Sequence, residues 1–178
     1  MSKKLKEEKK GKTIGKIRDR IFVDGELVED TGFRHNVIVS DINNLIAVLM
    51  SGKDGTMEGI TYWAVGEGDP VWDTSAPPSG NVTDTQLVNE IDRKAVNPED
   101  IEFLDADDNV VAGITNKLQI VKQFEETFGN GKWLELGLFG GDATSTANSG
   151  FMVNHLNHPV IEKRDNMTIE RTLIIEFA

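Results

Sequence analysis

The chain's 178 residues, 38% of them hydrophobic, are enough for one domain with a sizeable core. It has no cysteine, which excludes disulfides and thiolate metal sites, and no apolar run approaches the roughly 18 residues that a membrane helix needs. The formal charge of -11 argues against a nucleic-acid partner, because a phosphate backbone requires clustered Lys and Arg. The charge is uneven: residues 1–12 hold six lysines against Glu7 and Glu8, a net +4, which leaves -15 on the remainder. The expected organisation is a basic N-terminal arm, 1–12, ahead of a single β-rich domain, 13–178. The N-terminus shows no apolar signal-peptide core, so export by the usual route is not expected.

Within the arm only Leu5 interrupts the polar sequence, so on its own in water it is expected to be disordered. Lys3, Lys4, Lys6, Lys9 and Lys10 are either a solvated tail or contacts to an acidic neighbouring subunit. Ile14, Ile17, Ile21, Phe22 and Val23 then run into Asp24-Gly25, a strong two-residue hairpin signal, and Leu27 and Val28 run out of it. A further strand is expected over 33–39. Ser40 reads as an N-cap with Asp41 in the first turn, and Ile42, Leu45, Ile46 and Leu49 follow at helical spacing as far as Gly52, a C′ glycine. This is the main helix.

Residues 60–65 alternate as a strand between Gly59 and Gly66, after which Gly66, Gly68, Pro70, Pro77, Pro78 and Gly80 enforce a loop. Past the loop, Thr83 or Asp84 is expected to cap a short helix over about 84–91 that carries Leu87, Val88 and Ile91. Short strands are expected at 94–96, 101–104 and 110–114, the last two flanking an acidic turn, followed by a long half-buried strand over 117–128. Leu134, Leu136 and Leu138 face one way in the next strand, with Glu135 and Gly137 facing the other. After a small-residue loop at 140–150, short strands flank Pro159, and a clear amphipathic strand fills 167–177. Arg171 falls on the apolar face of that strand and therefore needs a carboxylate partner or an exposed edge. The fold class is mostly β, an antiparallel β-sandwich or curled sheet with one main helix and one short helix.

No stretch carries a complete catalytic or metal-binding pattern. Asp105, Asp107 and Asn109 match the start of a calcium loop, but Val110 stands where its glycine belongs and Asn116 where its glutamate belongs. His155 and His158 are three apart beside Pro159, without the regular helix that would make the spacing metal-binding, so ordinary polar contacts are expected. Glu67, Asp69 and Asp73 cluster in the central loop beside Trp63 and Trp72, which is the composition of a glycan-cleaving site. The sequence offers no second, buried carboxylate of shifted pKa to complete that chemistry. No enzyme activity and no cofactor are expected. Asp84, Glu90, Arg93 and Lys94 read as groups that fix the long loop through charge-assisted hydrogen bonds, Arg93 clamping a carboxylate bidentately.

Several short motifs resemble those of a family of tailed-phage structural proteins found in tail, tail-fibre or collar parts. Ala64, Val65, Gly66 and Gly68 match its "(A/M)VG.G", and Asp84, Thr85, Leu87, Asn89, Glu90 and Arg93 match its "DT.L.NE..R". LELGLFGG at 134–141 looks like its "(I/A)GLFN", FMVNHLNHPVIEK at 151–163 like its "MLNR..L.PPIEK", and MTIERTLIIEF at 167–177 like its closing strand. The resemblance implies a structural component of a tailed bacteriophage virion, in the tail, fibre, baseplate or collar region, assembled in multiple copies in the host cytoplasm. Its partners would be other virion proteins and copies of itself, with no nucleic acid and no membrane. Trp63, Gly66, Gly68, Trp72, Asp84, Glu90 and Arg93 are then the candidates for fixing the loop and for assembly. A receptor- or carbohydrate-binding tail module, glycan-cleaving in one version, and a capsid decoration or head-fibre protein are the alternatives.

Overall fold

The computed structural model of the protein describes residues 12–53 and 55–177, so the arm lysines named above lie outside the described residues. In chain order the elements are β1 (Ile14–Val23), β2 (Glu26–Asp30), β3 (Arg34–Ile38), α1 (Ile42–Ser51), β4 (Glu58–Gly66) and β5 (Glu90–Ala95). A 3-10 turn (Pro98–Asp100) follows, and then β6 (Ile101–Leu104), β7 (Val110–Val111), β8 (Lys117–Phe124), β9 (Gly131–Gly141), β10 (Phe151–Lys163) and β11 (Met167–Glu176). The β1–β2 hairpin turns on Asp24 and Gly25, at φ 50° and 82°, the paired positive angles that a type I′ turn requires.

All strands join one antiparallel sheet in the order β5-β4-β9-β10-β3-β1-β11-β8-β6-β7, with β2 also paired to β1. The sheet does not close, but it curls until its halves face each other. Trp63 on β4, second in that order, meets Phe124 on β8, eighth in the order, edge to face at 5.8 Å. Trp133 on β9 meets the same ring at 5.5 Å. The corner is β3, whose residues 34–36 pair with β1 while Val37 and Ile38 pair with β10, so one short strand passes from one half to the other. Ile17, Ile120, Phe124, Leu136, Leu138 and Leu173 fill the space between the halves, each fully buried. α1 seats Ile42 and Leu45 against this core and ends at Gly52, φ 58°.

Four local expectations are revised. The N-cap of α1 is Asp41 rather than Ser40, and the Asp41 carboxylate accepts from the Asn44 side chain and the Met152 amide instead of from a backbone N–H of the helix's first turn. No helix forms over 84–91. The two short strands around Pro159 are one strand, β10, which carries an irregularity between Asn157 and Ile161 where the missing proline N–H breaks no ladder bond. Finally, β9 is buried on both faces along nearly its whole length. Its second face is covered by the long segment between β4 and β5, the central loop.

Candidate functional site

Residues 67–89 lie against β9 and β10 without regular structure of their own, so the backbone donors that their local turns leave free need acceptors from elsewhere. Glu135, fully buried on β9, supplies them. Its Oε1 accepts from the amides of Gly68 at 3.1 Å and Asn89 at 2.8 Å, and its Oε2 from the amide of Val88 at 2.9 Å. Burial works to raise the Glu135 pKa, but hydrogen bonds from His155 and from these amides outweigh it and hold the carboxyl below its ordinary value. Leu87, also fully buried, donates its amide to Asn148 Oδ1 at 2.9 Å and accepts from Asn148 Nδ2 at 3.1 Å. Side chains 46 to 61 residues away thus bind the amides of 87–89, and this is why the expected short helix is absent: its donors are already satisfied.

The residues selected from the sequence fall around this buried carboxylate. A Cβ on Gly66 would lie 2.6 Å from both Asn89 O and Glu135 Oε1. Gly68 has φ +67°, and Trp72 rests on it so closely that a Cβ would lie 2.3 Å from the indole. Asp84 accepts from the Asn81 amide at 2.7 Å and faces His155 Nδ1 at 2.6 Å. Arg93 grips Glu90 through both Nε and Nη2 with the two side chains almost wholly buried, and its Nη1 donates to Thr144 O at 2.8 Å and Ser149 Oγ at 3.0 Å. The Arg93 guanidinium also lies 4.7 Å from the centre of the Phe139 ring. Lys94 reaches the other half of the sheet, pairing with Glu125 and donating to Gln123 O at 2.7 Å. Trp63 is fully buried in the core, so it cannot be an aromatic that the loop presents to a neighbour.

Of the acids in the central loop, Glu67 and Asp69 share a cleft and Asp73 does not join them. Asp69 accepts from the Val71 amide and Asp73 from the amide and hydroxyl of Ser75, so each closes a local turn. The Ser75 hydroxyl and amide hold the Asp73 pKa below its ordinary value. Glu67, Asp69 and half-buried Trp72 line an open cleft of about 220 Å³ with Lys132, Asn89 and Thr74. The buried carboxylate that the sequence did not reveal is Glu135, and it accepts hydrogen bonds on both oxygens. In the acidic turn, Asp105 accepts from the Asp107 and Asn109 amides, and Lys117 pairs with Asp108.

A second polar cluster bridges the two halves. Arg171 is fully buried on β11, as its apolar face requires, and donates Nε to Asp19 Oδ1 at 2.7 Å. Asp19 Oδ2 accepts from Arg34 at 2.7 Å, and Arg171 Nη2 lies 3.0 Å from His158 Nε2 across the sheet. The Nδ1 of His158 is 2.8 Å from Pro159 O, so the neutral tautomer protonated at Nδ1 satisfies both neighbours. Burial, and then the Arg171 charge, push the His158 pKa down to about 3. His155 and His158 therefore serve different clusters, and among the described residues no group of three His, Asp or Glu side chains is placed to share a metal ion.

No protein-family model matches the chain, and no curated protein matches it either.

The sequence pointed to Gly66, Gly68, Asp84, Glu90 and Arg93 but not to the residues that answer them, Glu135, Asn148 and His155. One signal was available: a strand with a lone acid opposite a leucine face, in a chain whose longest loop has no regular structure to pair its amides.

Proposed function

We propose that this protein is a structural component of a tailed bacteriophage virion, in the tail, fibre, baseplate or collar region. It would assemble there in multiple copies with itself and with other virion proteins. The observation that carries this reading is the convergence of the motif residues on one scaffold. Gly66, Gly68, Asp84, Leu87, Asn89, Glu90 and Arg93 belong to the central loop and its two ends, and all act to fix that segment on β9, β10 and the turn that joins them. Their roles are architectural: tight approach, acceptor, clamp. A loop whose polar groups are internally satisfied presents a fixed shape, and a rigid surface is what a repeated contact between copies uses. The Lys-rich residues 3–10 remain the proposed electrostatic contact to an acidic neighbour, each surface pair contributing about 0–1 kcal/mol.

A carbohydrate-binding module is the second reading, supported by the cleft at Trp72 with its acidic, amide and lysine lining. Against it, Trp63 and Trp133 are buried in the core, which leaves Trp72 as the one tryptophan with exposed surface among the described residues. The test is quantitative mass spectrometry together with antibody labelling of purified particles from a producing culture. The proposal requires the protein in several copies per particle at one axial position. Its absence from particles, with the protein left free in the lysate, would overturn the reading.

A further inference from the structure

Both ring nitrogens of the buried His155 face carboxylates. Nδ1 lies 2.6 Å from Asp84 Oδ2 on the central loop, and Nε2 lies 3.3 Å from Glu135 Oε2 on β9. An ionised carboxylate only accepts, and a neutral imidazole has a single N–H, so a neutral His155 would point a lone pair at one of its two partners. Neither carboxylate is free to relieve this by taking up the proton. Glu135 is committed to the amides of Gly68, Val88 and Asn89, and Asp84 Oδ2 already accepts from the Asn81 amide. Only the imidazolium, with N–H on both nitrogens, satisfies the arrangement.

The three side chains belong to three elements: Asp84 to the loop, Glu135 to β9 and His155 to β10. The charged groups that face the ring are Asp84 and Glu135. From the remaining sides β3 brings Val37 into register, β9 brings Gly137, and the loop brings Gly80, whose Cβ would lie 3.1 Å from the imidazole Cγ. We propose that His155 is a buried imidazolium latch that joins the central loop to the sheet, so that docking of residues 67–89 is coupled to one proton and loosens on the alkaline side.

The electrostatics agree with the geometry. Burial alone would lower the His155 pKa, but hydrogen bonds to Glu135 and Asp84 outweigh it and raise the value above 6.5. A base whose folded pKa is raised contributes stability that is fully present below its unfolded value and is lost as pH rises through the folded one. Asp84, partly exposed, is the side from which the proton leaves.

The test uses the full-length chain, uniformly labelled with ¹⁵N. Long-range ¹H–¹⁵N spectra at pH 6 should show both His155 nitrogens protonated, with His158 as the neutral internal comparison. Between the ordinary histidine value of 6.5 and the raised His155 pKa, protection of the Gly68, Val88 and Asn89 amides, corrected for intrinsic exchange, should fall about tenfold per pH unit and then level off, while the β1–β11 amides hold. His155→Gln, which keeps a donor but cannot titrate, should abolish that pH dependence. If the variant does not fold, the wild-type titration decides alone, because ring shifts and loop protection must move together at one pKa. A neutral His155 tautomer at pH 6, or loop protection that ignores the His155 titration, would overturn the proposal.

Discussion

A methyl group on Gly66 would lie 2.6 Å from Asn89 O and from the Glu135 carboxylate. Neither neighbour can retreat, since the first closes the neck of the loop by accepting from the Glu67 amide and the second is held by three amides. Gly66→Ala should therefore destabilise the protein by about 1–3 kcal/mol through overpacking. Gly113→Ala, where nothing lies within 4 Å, should change stability by less than about 0.5 kcal/mol. Urea unfolding of the two variants measures the contrast. Arg171 shows how far single residues can be read from sequence. Its position on an apolar face demanded a carboxylate, and Asp19 is there, but which carboxylate it would be was not legible because the partner lies 152 residues away.

Elements whose pattern is local were legible: the Asp24-Gly25 hairpin, α1 over 42–51 and the alternating β11. Elements defined by what covers them were not. β9 alternates Leu with Glu and Gly as if one face met water, yet both faces are buried because the central loop lies over the second. The segment 84–91 has the spacing of a short helix, but a helix needs its own amides, and Asn148 and Glu135 already bind them. The Leu87–Asn148 exchange is testable on its own. Asn148 sits at φ 57°, so Asn148→Gly removes the side chain without adding backbone strain. Leaving the buried Leu87 amide without a partner should cost about 1–3 kcal/mol in chemical denaturation. An unchanged midpoint and slope would mean that the loop amide finds another acceptor.

For the whole molecule, the buried ionisable groups set a pH window. His158 is neutral when folded, with a pKa of about 3 against 6.5 when exposed, so below pH 6.5 the unfolded chain takes up a proton that the folded one refuses. Its contribution is full above pH 6.5 and is lost as pH falls toward 3, at the limit by roughly 3–5 kcal/mol. Asp19 and Glu135, both held below their ordinary values, add in the same direction at lower pH, because carboxylates stabilised in the fold must be protonated as acid is added. His155 acts oppositely, losing its contribution as pH rises through its raised pKa. Urea midpoints across pH 3–10 should therefore trace a bell with its acid limb beginning below about 6.5. His158→Gln should flatten the part of that limb between 6.5 and 4.

The central claim is that residues 67–89 are a fixed part of the fold because one buried carboxylate accepts their amides. Amide hydrogen exchange in the wild type and in Glu135→Gln tests it most directly, since the amide keeps the side chain's size but removes its charge and places an NH2 group among donors. The account predicts that Gly68, Val88 and Asn89 exchange slowly in the wild type, comparably to the sheet. In the variant they should exchange at least about tenfold faster, with the β1–β11 amides unaltered, one lost charge-assisted bond amounting to about 1.5–3 kcal/mol. Loop amides that exchange freely in the wild type, or that keep their protection in Glu135→Gln, would contradict it.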